Sequence, residues 1–189
     1  MKKLRLMITI LMLLLGVAVQ ANAQDSPESS EYLVKAGFIY NFAKLVEWPT
    51  TAFAQPDSPI VIGILGTDPF GPIIDRVFDG KKVNGRGFVV KRLKSLTDLK
   101  DCHIVFISST EMARSAEAIH LAKNMPVLTI GEVPGFAKHG GIINLTLEDN
   151  KVRFEVNVDA AKEADLNISS RLLALAKIVQ QSADGKKAE

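Results

Sequence analysis

The sequence predicts an α/β fold: a three-layer α/β/α sandwich on a mostly parallel mixed sheet of about six strands, with a C-terminal antiparallel hairpin. Three observations predict it. Short apolar runs such as Ile60–Leu65 and His103–Ser108 have the unbroken character of strands covered on both faces. Helical stretches alternate with these runs in a β-α-β-β-α-β order, which layers helices onto a parallel sheet. The last two runs, Ile142–Leu147 and Val152–Val158, flank the turn-prone link Glu148-Asp149-Asn150-Lys151 and so form a hairpin.

The 189 residues include 23 Lys+Arg against 21 Asp+Glu, are 47% apolar, and contain one cysteine. That length suits one domain with a sizeable core, and the apolar fraction excludes a disordered chain. The N-terminus changes the charge reading. Lys2, Lys3 and Arg5 precede an apolar run from Leu6 to Val19, and Ala21-Asn22-Ala23 fits a small-x-small cleavage site. Residues 1–23 are therefore expected to be a secretory signal peptide, the apolar run being shorter than the ~20 residues a spanning helix needs. Cleavage leaves 20 cations against 21 anions, a net −1. A nucleic-acid partner is not expected, nor is membrane insertion after cleavage. With Cys102 alone, no internal disulfide can form, and an exported domain of residues 24–181 must rest on its core. Residues 182–189 read as a polar tail.

The first helix is expected from Glu31 to Glu47, stopped by Trp48-Pro49. Tyr32, Ala36, Ile39, Ala43 and Val46 form one apolar stripe, and Val34, Phe38, Phe42 and Leu45 form a second. A surface helix needs only one such stripe. This helix either lies deep in the domain or presents its second stripe to another chain. Next come strand Ile60–Leu65, and helix Phe70–Phe78 with Asp68 as N-cap and Pro69 at N1. Strand Phe88–Lys91 follows, then a helical turn at Ser95–Asp98 and strand His103–Ser108. Helix Glu111–Lys123 and strand Pro126–Ile130 complete the parallel part. In the hairpin, Val152, Phe154, Val156 and Val158 point inward and Arg153, Glu155 and Asn157 outward, which marks a half-exposed strand at the sheet margin. A last helix is expected over Ser169–Gln181.

Loops at the carboxyl ends of parallel strands collect ligands. The loop Gly66–Gly71 lacks the Lys of a P-loop and the G-x-G-x-x-G order, so Asp68 reads first as a cap. Ser108-Ser109-Thr110-Glu111 is a capping box before a helix rather than a nucleophile. Cys102 and His103 alternate across a strand and cannot form a dyad. The three histidines and one cysteine show no metal-ligand spacing. In the glycine-rich loop Gly131–Gly141, Lys138 and His139 can meet an anionic ligand, or the loop merely turns the chain into the hairpin. A strand-end crevice for a small ligand would therefore draw on Thr67, Asp68, Ser109, Gly135, Lys138 and His139. No convergent catalytic group and no cofactor are expected, so the chain reads as a binding module rather than an enzyme.

The segment Lys35–Pro49 resembles the N-terminal signature of the YfiR-like family of periplasmic regulators. Ile64–Gly71, Val83–Arg86, Cys102–Ser108, Gly140–Ile143, Phe154–Asn157 and Ser169–Leu173 follow in the family's order. The resemblance implies a non-catalytic periplasmic protein that binds the periplasmic domain of an inner-membrane diguanylate cyclase, or of a sensor kinase, and represses it. Release of the cyclase then raises cyclic di-GMP and promotes biofilm. It also implies paired cysteines in redox-controlled members. Here Cys102 matches one of them, but the partner expected in the first strand, near Gly63, is absent, as is the later pair around the glycine-rich loop, so a buried inert thiol is expected, with an intermolecular disulfide through Cys102 as the alternative. On this reading Phe38, Phe42, Leu45 and Trp48 are the expected partner contacts, and Arg153, Glu155 and Asn157 are a second face. Pairing of two copies through the helix, binding of a small-molecule ligand, and an exported hydrolase are the alternatives.

Overall fold

Alternation of side chains along the strands builds two cores, one on each face of a single sheet. The computed structural model describes residues 27–182. The chain divides into the units Met1–Ser30 and Glu31–Glu189, and the account below concerns the second, apart from the first turn of its leading helix. The expected signal peptide lies outside the described residues, as does all of the expected tail beyond Ser182.

Helix α1 runs Pro27–Leu45, opened by a proline whose missing N–H costs nothing there and by Glu28 in the first turn. It ends two residues early because Val46–Glu47 (β1) pairs antiparallel with Asn167–Ile168 (β8). The main sheet has seven strands: β2 (Ile60–Leu65), β3 (Phe88–Leu93), β4 (Ile104–Ile107), β5 (Leu128–Gly131), β6 (Ile143–Glu148), β7 (Lys151–Asn157) and β9 (Lys177–Val179). Their order is β3-β2-β4-β5-β6-β7-β9. All neighbours are parallel except the β6–β7 hairpin, where Leu145 faces Phe154 and Asn144 faces Glu155. Helices α2 (Pro72–Phe78), α3 (Ser115–Ala122), α4 (Val158–Glu163) and α5 (Ser170–Leu173) complete the elements. The expected α/β sandwich is the observed one.

On one face, Ile62, Ile64, Ile104, Phe106, Ile130, Leu145 and Phe154 pack with Ala36, Ile39 and Phe42 of α1 and Ile74 of α2. On the other, Val105, Ile107 and Leu65 pack with Leu96, Leu99, Cys102, Ala118 of α3 and Phe136. The odd and even residues of the central strands thus serve different helices, as a period of two requires.

Four expectations need correction. The strand β7 is not marginal, because β9 pairs with it in parallel from Glu155↔Lys177 to Asn157↔Val179. No helix spans Ser169–Gln181: a four-residue helix gives way to β9, since pairing with β7's open edge outweighs the helical spacing of Leu172, Leu175, Ala176 and Val179. Val158 opens α4 instead of ending a strand, with the Asn157 carboxamide oxygen accepting from the Ala160 N–H at 3.0 Å. The stretch Glu111–Lys123 divides into a 3-10 turn, Ser109–Arg114, and α3, with Glu111 at non-helical φ −98°, ψ 18°. Asp68 does cap, but one turn ahead of α2: its Oδ1 accepts from Phe70 N–H at 2.8 Å and Gly71 N–H at 3.2 Å.

Candidate functional site

A cavity of about 490 Å³ opens at the carboxyl ends of β4 and β5, between the start of α1 and the outer half of β6. Its position follows the rule for open α/β sheets. The first turns of α1 supply Glu31, Tyr32 and Lys35; the loops after β4 and β5 supply Ser109, Glu132, Gly135 and Lys138; the hairpin supplies Asn144 and Glu155.

Its wall is a buried ionic cluster. The Lys35 ammonium lies 2.6 Å from Glu31 and 2.7 Å from Glu132, and the Lys35 and Glu132 side chains are both nearly inaccessible. Glu132 also accepts from the Tyr32 hydroxyl at 3.2 Å and from the Ser109 N–H at 3.3 Å. Burial pulls the Lys35 pKa down, but its hydrogen bonds to Glu132 and Glu31 outweigh that and hold it above the ordinary lysine value. Burial, reinforced by the Glu132 charge, pushes the Tyr32 hydroxyl up to about 12. Both groups therefore keep their protons at neutral pH. The cluster joins α1 to the loop after β5 across 97 residues of sequence.

At the floor, the Asn144 amide donates to Glu155 at 3.3 Å, and Glu155 also pairs with Lys177 at 3.1 Å. Asn144 Oδ1 is buried and has no partner among the described residues. Turning the amide over would aim its oxygen at a carboxylate, so the orphan is inherent to this arrangement.

The expected ligand residues separate into two groups. Ser109, Gly135 and Lys138 line this cavity. His139 instead lines a second cleft of about 450 Å³ with His120, Glu163 and Gln181. Thr67 donates its N–H to Thr110, and Asp68 is engaged by its capping bonds and by Arg92 at 2.8 Å. Neither lines the cavity. Sequence reasoning missed Tyr32, Lys35, Glu132 and Asn144. The available signal was Glu31 and Lys35 at i,i+4, with Lys35 falling between the apolar residues Val34 and Ala36.

The expected partner contacts also separate. Phe42 is completely buried and belongs to the core, because its ring meets Phe154 at 5.1 Å across the sheet face. Phe38 is half-buried against Phe42 and Phe154. Leu45 and Trp48 are half-buried against the same core, and the Trp48 indole N–H donates to the His103 carbonyl at 3.2 Å. Glu155 and Asn157 do not face solvent: Asn157 is fully buried, with Nδ2 donating to the Ala137 carbonyl at 2.8 Å. Of the second face, only Arg153 is exposed.

The same helix, strands and hairpin carry a family match. A family model described as YfiR/HmsC-like matches residues 32–177. The chain belongs to that family. No curated protein matches it. Membership of the YfiR/HmsC-like family fits a regulatory protein of the periplasm. Among the described residues no helix is long and apolar enough to cross a membrane, and no group of three His, Cys, Asp or Glu is placed to hold a metal. For this YfiR/HmsC-like chain, Cys102 is a buried free thiol that burial pushes up to about 11. A Cβ added at Gly63 would sit 2.8 Å from its sulfur, so the position where the resemblance expects a partner cysteine does face Cys102.

Proposed function

We propose that the chain is a non-catalytic periplasmic regulator that binds and represses the periplasmic domain of an inner-membrane diguanylate cyclase, thereby lowering cyclic di-GMP and restraining biofilm formation. A sensor kinase is the alternative partner. Family membership over residues 32–177 supports the class. One observation supports the docking face: Leu33 and Val34 of α1 stay 51% and 46% exposed while the helix's inner stripe is buried. Val34 lies one turn before Phe38, which packs on Phe154. On that same sheet face, Leu147 is 52% exposed beside its strand partner Val152. Val34, Phe38 and Leu147 thus form an apolar rim suited to a protein partner, with Phe38 as its aromatic anchor. The test is capture by the immobilised periplasmic domain of the cyclase. Val34→Asp should cut capture at least tenfold with the melting temperature unchanged, while Arg153→Ala should do little. Undiminished capture by Val34→Asp refutes this docking face.

The second reading is a small-ligand sensor, favoured by the cavity of about 490 Å³ at the carboxyl ends of β4 and β5, lined by Ser109 and Lys138 and walled by the Lys35–Glu132 pair. Thermal-shift measurements against amino acids, nucleotides and vitamins test it. A stabilising compound whose effect Lys138→Ala and Ser109→Pro weaken supports the sensor, and a flat response across the set rejects it.

A further inference from the structure

The segment between α1 and β2 has no long regular element, yet much of it is tied down around one residue, His103. This residue stands just before β4. Its Nδ1 accepts the Val61 N–H of β2 at 3.0 Å, and its Nε2 meets the Ala52 carbonyl at 3.1 Å. The first bond fixes Nδ1 as the acceptor, so Nε2 carries the proton and donates. The ring stacks on Phe53 at 4.4 Å with planes 14° apart, and the backbone carbonyl of His103 receives the Trp48 indole N–H. Arg86, from the turn before β3, sits 3.7 Å above the Phe53 ring and donates to the Gln55 and Ser58 carbonyls. The His103 imidazole thus ties the middle of the strap 48–58, at Ala52 and Phe53, to β2, while its backbone carbonyl holds Trp48 and Arg86 holds Gln55 and Ser58.

We propose that His103 is an acid-sensitive latch whose protonation releases the strap 48–58 from the amino ends of β2 and β4 and loosens the packing of Trp48. A second ring proton would point Nδ1–H at the Val61 N–H, replacing a hydrogen bond with two opposed donors. Of the groups facing the ring, the Ala52 carbonyl favours the charged form, while burial and the nearby Arg86 cation oppose it. The strap contributes the neutral Ala52 and Phe53, β2 contributes a backbone N–H, and the turn before β3 contributes the cation of Arg86. The adjacent Cys102 points into the other core, and none of the ion pairs among the described residues involves His103. Burial, with Arg86 adding to it, holds the imidazole below its ordinary 6.5 despite the Ala52 bond. A neutral group favoured by the closed form makes proton uptake and opening a single linked event.

The inference is independent of the docking proposal, because its readout lies in the isolated protein. Trp48 is the sole tryptophan, so its emission reports the strap directly. Between pH 8 and pH 4.5, the emission maximum should shift to the red with a midpoint below 6.5. The NMR titration of the His103 ring should share that midpoint, and far-UV circular dichroism should stay constant through it. His103→Asn, whose Oδ1 replaces the Nδ1 acceptor without titrating, should lose the transition. A flat emission profile, a ring titration that does not coincide, a transition surviving in His103→Asn, or simultaneous loss of the circular dichroism signal would each overturn the latch.

Discussion

The two faces of the sheet are built from the same strands, but with opposite chemistry over β5, β6 and β7. On the α1 face, Leu145, Phe154 and Val156 join an aromatic core with Phe42, Phe70 and Phe106. On the other face, Asn144, Glu155, Asn157 and Thr129 are just as buried. There each polar side chain acts as a fastener. Asn157 ties α4 to the loop after β5, and the Thr129 hydroxyl accepts the Ile142 N–H at 3.0 Å. Buried polar groups carry a cost unless paired, and of these side-chain atoms all but the Asn144 Oδ1 are paired, so this face is defined by bonding geometry, whereas the aromatic face is defined by volume. An outward-pointing polar residue in a sheet therefore need not be a surface residue.

That contrast can be broken by substitution. The largest loss is expected on the aromatic face: Phe42→Ala should cost about 3–5 kcal/mol in urea denaturation, as a deleted core ring does. At the strand-end cavity, Glu132→Ala should cost about 2–4 kcal/mol, because it leaves the buried Lys35 with Glu31 as its remaining carboxylate. On the polar face, Asn157→Ala should cost about 1–2 kcal/mol through loss of a helix cap, with α4 amides exchanging faster than those of β4. If Asn157→Ala were as harmful as Phe42→Ala, the distinction between the faces would fail. Gly63→Cys sharpens it from the Cys102 side. Under oxidation it should form an internal disulfide, read as loss of the free thiol by mass spectrometry, since its Cβ would sit 2.8 Å from the Cys102 sulfur once Leu93 Cδ1, 2.7 Å from the same point, shifts aside.

Legibility in the sequence followed the range of the interactions. The unbroken apolar strands β2, β4 and β5, the hairpin and the inner stripe of α1 were readable because each is decided within a few residues. The excess apolar stripe was readable too, but not its fate. Phe42 is buried because Phe154 lies 112 positions later in the chain and rises to meet it, and no local spacing encodes that. The same holds for Lys35 and Glu132, the pair that shapes the cavity. Asn157 was misread because alternation assigns a face correctly but is silent about what covers that face; here it is the loop holding Ala137. The C-terminal segment kept a helical spacing and still became β9, since an open strand edge offered backbone partners that a short helix lacks.

The central claim is that α1 is divided lengthwise, with Phe42 serving the fold and the Val34 rim serving a partner. Stability and capture by the periplasmic domain of the proposed cyclase partner, measured side by side for Val34→Asp and Phe42→Ala, test it most directly. Val34→Asp should lose capture while its unfolding free energy stays within about 0.5 kcal/mol of the parent, and Phe42→Ala should lose stability first. A Val34→Asp protein that is captured as well as the parent would contradict the account.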